Sequence, residues 1–276
     1  MSSWKLFWFF FALKILTLNA EVNAFLGKPL NEITPSSHQS PIDADTIMAN
    51  LQKYPLQDIQ LPSLSPLILP IPQSLGDPDW ANLARYAASD AELSKLPAGS
   101  NQVIFMGDSI TDGWNISHWF PDKPYVNRGI GGQITPQMLV RFREDVVNLQ
   151  PNVTVILGGT NDIALQTNLT TIQANLQTMA EVSKVHGFKP IIASITPVCG
   201  PVVAVRPPEQ INFMNAWIQH FCEKWGFIYL DYFSSLVGAD GLLRQELTND
   251  CLHPNTAGYD VMAPLAQAAI NQALGE

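Results

Sequence analysis

The feature that most constrains this chain is an alternation, from Asp77 onward, between short apolar runs and longer segments of helical periodicity. The runs are "QVIFMG", "KPYVNRGI", "NVTVILGG", "KPIIASITP" and "GFIYLD". Each is short and flanked by Gly, Pro, Asn or Asp, and most are rich in Val and Ile, which reads as a strand buried on both faces. Between them, "TPQMLVRFREDVVNL", residues 169–186, residues 208–225 and "NTAGYDVMAPLAQAAINQAL" carry apolar residues at helical spacing. Strands of that kind need helices on both sides and right-handed crossovers between them. The expected fold class is therefore α/β, a three-layer sandwich whose five-stranded parallel sheet has helices on both faces. A further helix is expected in "DPDWANLARYAASDAEL", where Pro78 suits a helix start and Trp80, Leu83, Ala84, Ala87, Ala88 and Ala91 recur at helical spacing.

Upstream of this pattern the composition changes. Residues 1–24 read as an export signal, with Lys5, the run "LFWFFFAL" and small residues at Ala20 and Ala24, so cleavage is expected after "LNA" or "VNA". Lys14 interrupts the run and leaves it too short for a hydrocarbon core of ~30 Å. A secreted or periplasmic protein with no stable membrane span follows, an uncleaved anchor being the alternative. No Cys follows either cleavage site, which removes the simplest route to an acylated N-terminus. Residues 25–78 hold nine of the 21 prolines and read as an arm or linker, leaving 79–276 as the folded domain. A net charge of −9, with 15 scattered basic residues, argues against a nucleic-acid partner. Three cysteines, Cys199, Cys222 and Cys251, are too few for a disulfide scaffold and too far apart for a CxxC zinc site.

In a parallel α/β sheet, ligands gather at the carboxyl ends of the strands. Four polar clusters belong there: "GDSITDGW", "NRGIGGQIT", "GGTND" and "DCLHPNTAGY". Ser109, between a strand and a helix, serves equally well as a helix cap or as a nucleophile. A serine hydroxyl becomes nucleophilic only beside a base that is itself oriented by a third group. Of the five histidines, His253 stands out: the loop ahead of the last helix holds it three positions from Asp250, so one turn can present both side chains on the same side, whereas His186 and His220 fall near helix ends. Donors for a developing oxyanion are on offer in the glycine-rich "GIGGQ" and in the side-chain amide of Asn161. Asp108 and Asp162 are read as turn-ordering acceptors of backbone amides.

Together these clusters resemble the four blocks of the SGNH, or GDSL, hydrolases over residues 80–275, closest to the acetylhydrolase-like and carbohydrate-esterase-like branches. The resemblance implies a five-stranded flavodoxin-like sheet and a catalytic domain over 79–276. It implies a Ser109–His253–Asp250 triad and an oxyanion hole of the Ser109 amide, the Gly132 amide and Asn161, with no metal or cofactor. Ile134 stands where the family's second block carries Thr, and Thr135 comes one later, which keeps Gly131 beside Gly132 as a candidate. Cys251 is either an apolar filler or, if the "TPVCG" loop lies close, a partner of Cys199. The implied activity is hydrolysis of carboxylic esters, with short acyl groups such as acetyl on a carbohydrate or small alcohol preferred, so the partner is a small-molecule or glycan ester. Longer-chain lysophospholipase or thioesterase-like hydrolysis, acyl transfer to a second alcohol, and a non-catalytic glycan-binding module are the alternatives. Trp114, Trp119, Phe120 and "TPVCGPVVAVRPP" are the candidate pocket walls.

Overall fold

Strand β1, Val103–Gly107, is buried along its whole length, and its side chains alternate between two cores. Val103 and Phe105 enter one, Ile104 and Met106 the other. The computed structural model describes residues 78–100 and 102–276, all within Leu69–Glu276, one of two units into which the chain divides. The expected export signal, and the Pro-rich arm up to residue 77, lie outside the described residues.

In chain order the elements are α1 (Ala87–Leu93), β1, α2 (Ser109–Asp112), α3 (Ile116–Trp119), β2 (Tyr125–Gly129), α4 (Thr135–Asp145), β3 (Val153–Leu157), α5 (Thr160–Ala164), α6 (Leu169–Val185), β4 (Lys189–Ala193), α7 (Pro208–Trp225), β5 (Ile228–Leu230), α8 (Phe233–Leu236) and α9 (Thr256–Leu274). The five strands form one parallel sheet in the order β2-β1-β3-β4-β5, the flavodoxin-like order, with the direction of winding reversing between β1 and β3. Gly107 is in register with Gly129 on one side and Leu157 on the other, so the loops after β1, β2 and β3 open side by side.

One core joins Val103, Phe105, Val153 and Val155 to Met262, Ala266 and Ile270 of α9 and to Ile110, Trp114 and Phe120. The other joins Ile104, Met106 and Ile156 to Met138 and Phe142 of α4, Leu176 and Met179 of α6, and Met214 and Ile218 of α7. Burying both faces of each strand against helices is the main favourable term holding the three layers together.

The helix expected from Pro78 is corrected. The chain makes a turn, then a 3-10 segment Leu83–Arg85, and only Ala87–Leu93 is α-helical. Asp79 accepts the Leu83 and Ala84 amides at 2.7 and 2.9 Å, and Asn82 sits at φ 56, a left-handed value that interrupts any helix. Leu83, Ala84, Ala87, Ala88 and Ala91 face solvent, while Asp90 turns inward to pair with Arg128 at 2.6 Å. A buried ion pair, not an apolar stripe, docks α1.

Candidate active site

β1 ends at Gly107, and the chain turns at once into α2 with Ser109 as its first residue. Asp108 caps that helix by accepting the Ile110 amide at 3.0 Å. A side chain at Gly129 would collide with the Thr111–Asp112 backbone, so glycine lets α2 lie directly on the end of β2. Asn127 ties the same turn down: its Nδ2 donates to the Thr111 and Trp114 carbonyls at 2.6 and 2.9 Å, and its Oδ1 accepts the Gly129 amide at 2.7 Å. Tyr259 of α9 donates its hydroxyl to the Ile110 carbonyl at 2.8 Å. Burial pushes the Asp108 carboxyl up to about 6, partly offset by the Ile110 amide.

The turn before α9 brings Asp250 and His253 to this serine. His253 Nε2 lies 2.9 Å from Ser109 Oγ, and His253 Nδ1 lies 2.6 Å from Asp250 Oδ2. The other Asp250 oxygen accepts the Leu252 and His253 amides at 3.0 and 2.8 Å, closing the turn on itself. Although burial raises the Asp250 pKa, the hydrogen bonds from the His253 ring and these two amides outweigh it and hold the carboxyl well below the usual carboxylate range. Thr248 donates to the His253 carbonyl at 2.8 Å. Cys251, at φ 68 between the two residues, is bonded to Cys199 on the loop after β4, and the Cys199 amide donates to the Cys251 carbonyl at 3.0 Å. The remaining cysteine, Cys222, is buried, with its thiol pushed up to about 12 by desolvation. The other described histidines, His118, His186 and His220, are exposed.

The glycine-rich loop after β2 resolves into two different amides. Gly131 donates to Asp112 Oδ2 at 3.0 Å, whereas the Gly132 amide, at φ 77, has no acceptor among the described residues. The Ser109 amide likewise has none. Asn161, in the first turn of α5, donates from Nδ2 to the Gln133 carbonyl at 2.9 Å, which leaves its second N–H unused. The loops are stitched together from beneath. Asp162 accepts both the Thr135 amide and hydroxyl, at 2.9 and 2.6 Å, so it orders the start of α4 from the β3 loop by accepting a backbone amide. Arg141 of α4, wholly buried, pairs with Asp145 and donates to the Gln133 side chain and to the Gly107 carbonyl.

Two expected pocket walls are corrected. Trp114 and Phe120 are 2% and 4% exposed and stack with Phe105 and Tyr259 in the core beneath the site, and Trp119 is tied to Asp260 through its ring nitrogen at 2.9 Å. The "TPVCGPVVAVRPP" loop does reach the site, but through a residue the sequence did not single out: Arg206, whose Nη2 donates to Asn161 Oδ1 at 3.2 Å. Nothing local marks that arginine. For Arg141 and Asp145 there was a signal, a charged i,i+4 pair on the helix face that also carries Met138 and Phe142.

Chemically the arrangement can serve as a proton path: a carboxylate so placed favours the Nδ1–H tautomer of the imidazole, whose Nε2 faces a hydroxyl at the first residue of a helix, with backbone and side-chain N–H donors nearby.

Comparison with known proteins bears on the family and the fold. The family model described as GDSL-like Lipase/Acylhydrolase matches residues 105–261. The crystal structure of a GDSL-like lipase from Bacteroides thetaiotaomicron VPI-5482 superposes with a TM-score of 0.65 at 35% identity, covering 70% of this chain and 98% of that one. A catalytic mutant of Axe2, an acetylxylan esterase from Geobacillus stearothermophilus, superposes with a TM-score of 0.52 at 19% identity over 63% of this chain and 95% of its own, a likeness of fold. Among curated proteins, the lipoprotein YqeF of Bacillus subtilis is 32% identical over 36% of this chain; the match spans 50% of YqeF, so this chain covers about half the length of that relative.

Proposed function

This chain belongs to the GDSL-like lipase/acylhydrolase family and is a carboxylic ester hydrolase, and from that premise we propose that it works as a serine esterase through Ser109, His253 and Asp250. The observation that carries the reading is the unbroken hydrogen-bond path Asp250–His253–Ser109, at 2.6 and 2.9 Å. As Ser109 Oγ attacks the ester carbonyl, His253 Nε2 takes its proton, and Asp250 stabilises the imidazolium. The carbonyl oxygen, now negative, is held by the Ser109 and Gly132 amides and by Asn161 Nδ2. His253 then protonates the alkoxide as the alcohol leaves. It next removes a proton from water, which attacks the acyl-serine and releases the acid. No metal or cofactor enters this scheme.

For substrate we favour a short acyl ester, such as acetyl, of a carbohydrate or small alcohol. A cavity of about 360 Å³ adjoins Gly131 and Gly132, and its remaining wall is Asp79, Trp80, Asn82, Ile130, Gln133 and Gln137. That mostly polar wall, with one indole, suits a hydroxylated group better than a long alkyl chain. Axe2, which shares the fold, is named for action on acetylxylan. The catalytic domain is taken as residues 79–276, with export through the 1–24 segment placing it outside the cytoplasmic membrane.

The test is turnover of p-nitrophenyl esters of increasing chain length, with Ser109→Ala as control, followed by acid release from acetylated polysaccharides and lysophospholipids. Preference for acetyl and for the polysaccharides is expected. Preference for long chains would move the assignment to lysophospholipid or thioester hydrolysis, and a folded wild type inert on every ester would leave a glycan-binding module.

A further inference from the structure

We propose that Arg206 is a positioning residue of this esterase, holding the Asn161 side-chain amide in the one orientation that presents an N–H to the oxyanion. The inference rests on the triad and oxyanion reading above. A carboxamide can turn end for end at little intrinsic cost, exchanging a donor for an acceptor. At Asn161 that exchange would aim an oxygen at the developing negative charge.

Two contacts of opposite polarity forbid it. The Gln133 carbonyl, at 2.9 Å, accepts only and so demands the nitrogen. Arg206 Nη2, at 3.2 Å, donates only and so demands the oxygen. Both partners are themselves anchored. Gln133 binds the Ala81 carbonyl through Nε2 and receives Arg141 through Oε1. Arg206 places Nε on Thr160 Oγ1 at 3.1 Å, so one guanidinium grips two adjacent residues of α5. A cationic donor on the amide oxygen also polarises the group and strengthens its remaining N–H as a donor. The guanidinium is only partly exposed, and it interacts electrostatically with the buried carboxylate of Asp108, next to Ser109. Its positive charge therefore acts on the same small volume in which the oxyanion forms.

The loop that carries Arg206 begins at Cys199, which is bonded to Cys251 between Asp250 and His253. One eight-residue stretch, 199–206, thus touches both the proton path and the oxyanion donor.

The test is a double-mutant cycle on the full chain with p-nitrophenyl acetate as probe. Asn161→Ala is expected to lower kcat by about 10²- to 10³-fold. Arg206→Met is expected to lower it by about tenfold at nearly constant KM, with Arg206→Lys, which keeps a charge and a single donor, in between. Because Arg206 acts through Asn161, the double variant should be no slower than Asn161→Ala alone. The proposal is overturned if Arg206→Met keeps kcat within about twofold of wild type, if the two losses multiply, or if KM rises while kcat holds. Should Arg206→Met not fold, Arg206→Lys completes the same cycle with the same criteria. Full turnover by Ser109→Ala would remove the esterase reading itself; a dead Ser109→Ala with an unaffected Arg206→Met removes only this one.

Discussion

The two halves of the site are built by different means. Ser109 stands on backbone that the sheet itself positions: Asp108 is buried, Gly129 lets α2 touch β2, and Asn127 and Tyr259 bind the turn from two sides. The Asp250–His253 turn rests on no strand, and its two side chains are 53% and 40% exposed. What shapes it is a set of short side-chain bonds from Asp250 and Thr248, together with the bridge to Cys199. A hydroxyl held by core packing is as rigid as the fold. An imidazole held by cross-links is as rigid as those links.

The sharpest way to test that division is to remove chemistry from each half without touching its scaffold. Ser109→Ala deletes one half-buried oxygen, and kcat is expected to fall by roughly 10⁶-fold while the melting temperature stays where it was. Asp250→Asn keeps an oxygen for the Leu252 and His253 amides but loses the carboxylate that sets the tautomer, and about 10⁴-fold is expected. Steady-state kinetics on a p-nitrophenyl ester reads both. A loss below about tenfold for Asp250→Asn would show that the exposed carboxylate is dispensable and would remove it from the proposed path.

The next effect is smaller and separates the halves directly. Replacing both Cys199 and Cys251 with Ser opens a link across a sequence separation of 52. Stability should drop by about 2–5 kcal/mol, chiefly through a freer unfolded chain. Because a misplacement of about 1 Å can cost up to 10²-fold, kcat should also fall by about ten- to a hundredfold at temperatures where the fold is intact. Unfolding curves and kcat measured side by side decide it. A lowered melting point with unchanged kcat would mean that the hydrogen bonds of Asp250 and Thr248 suffice to hold the base.

How much of this was legible in the sequence follows the same division. The sheet half was readable because a strand buried on both faces writes itself as an apolar run, and Ser109 and Asn161 are placed by the ends of such runs. Asp250 and His253 were readable because their contact is local, three residues apart. The links that cross the chain were not. Arg206 meets Asn161 over 45 positions and Asp162 meets Thr135 over 27, and no local pattern encodes such pairs. Trp114 and Phe120 misled because an aromatic beside a polar motif reads as a pocket wall, yet the short helices α2 and α3 turn both into the core. The stripe at 80–91 misled because Asn82 and the Asp79 cap break the helix that its spacing implied.

The smallest predicted effect is on stability against pH, and there the two halves have opposite signs. Asp108 is raised to about 6 by burial, while in the unfolded chain it titrates near about 3.9. The native state therefore holds the extra proton between those values, so Asp108 makes stability fall as pH rises from about 4 to 6 and adds no slope above. Asp250 is depressed, so its contribution is present above the unfolded carboxylate pKa and is lost as pH falls through the lower native one. Its exposure keeps that contribution small. Asp108→Asn retains an oxygen for the Ile110 amide and removes the titration. The gap in unfolding free energy between wild type and Asp108→Asn should therefore change by on the order of 2 kcal/mol between pH 4 and 7, moving in favour of the variant as pH rises. Urea unfolding across that range measures it. Parallel curves would mean that Asp108 ionises as it does in water, and that the Ser109 turn is far less shielded from solvent than the sheet end around it implies.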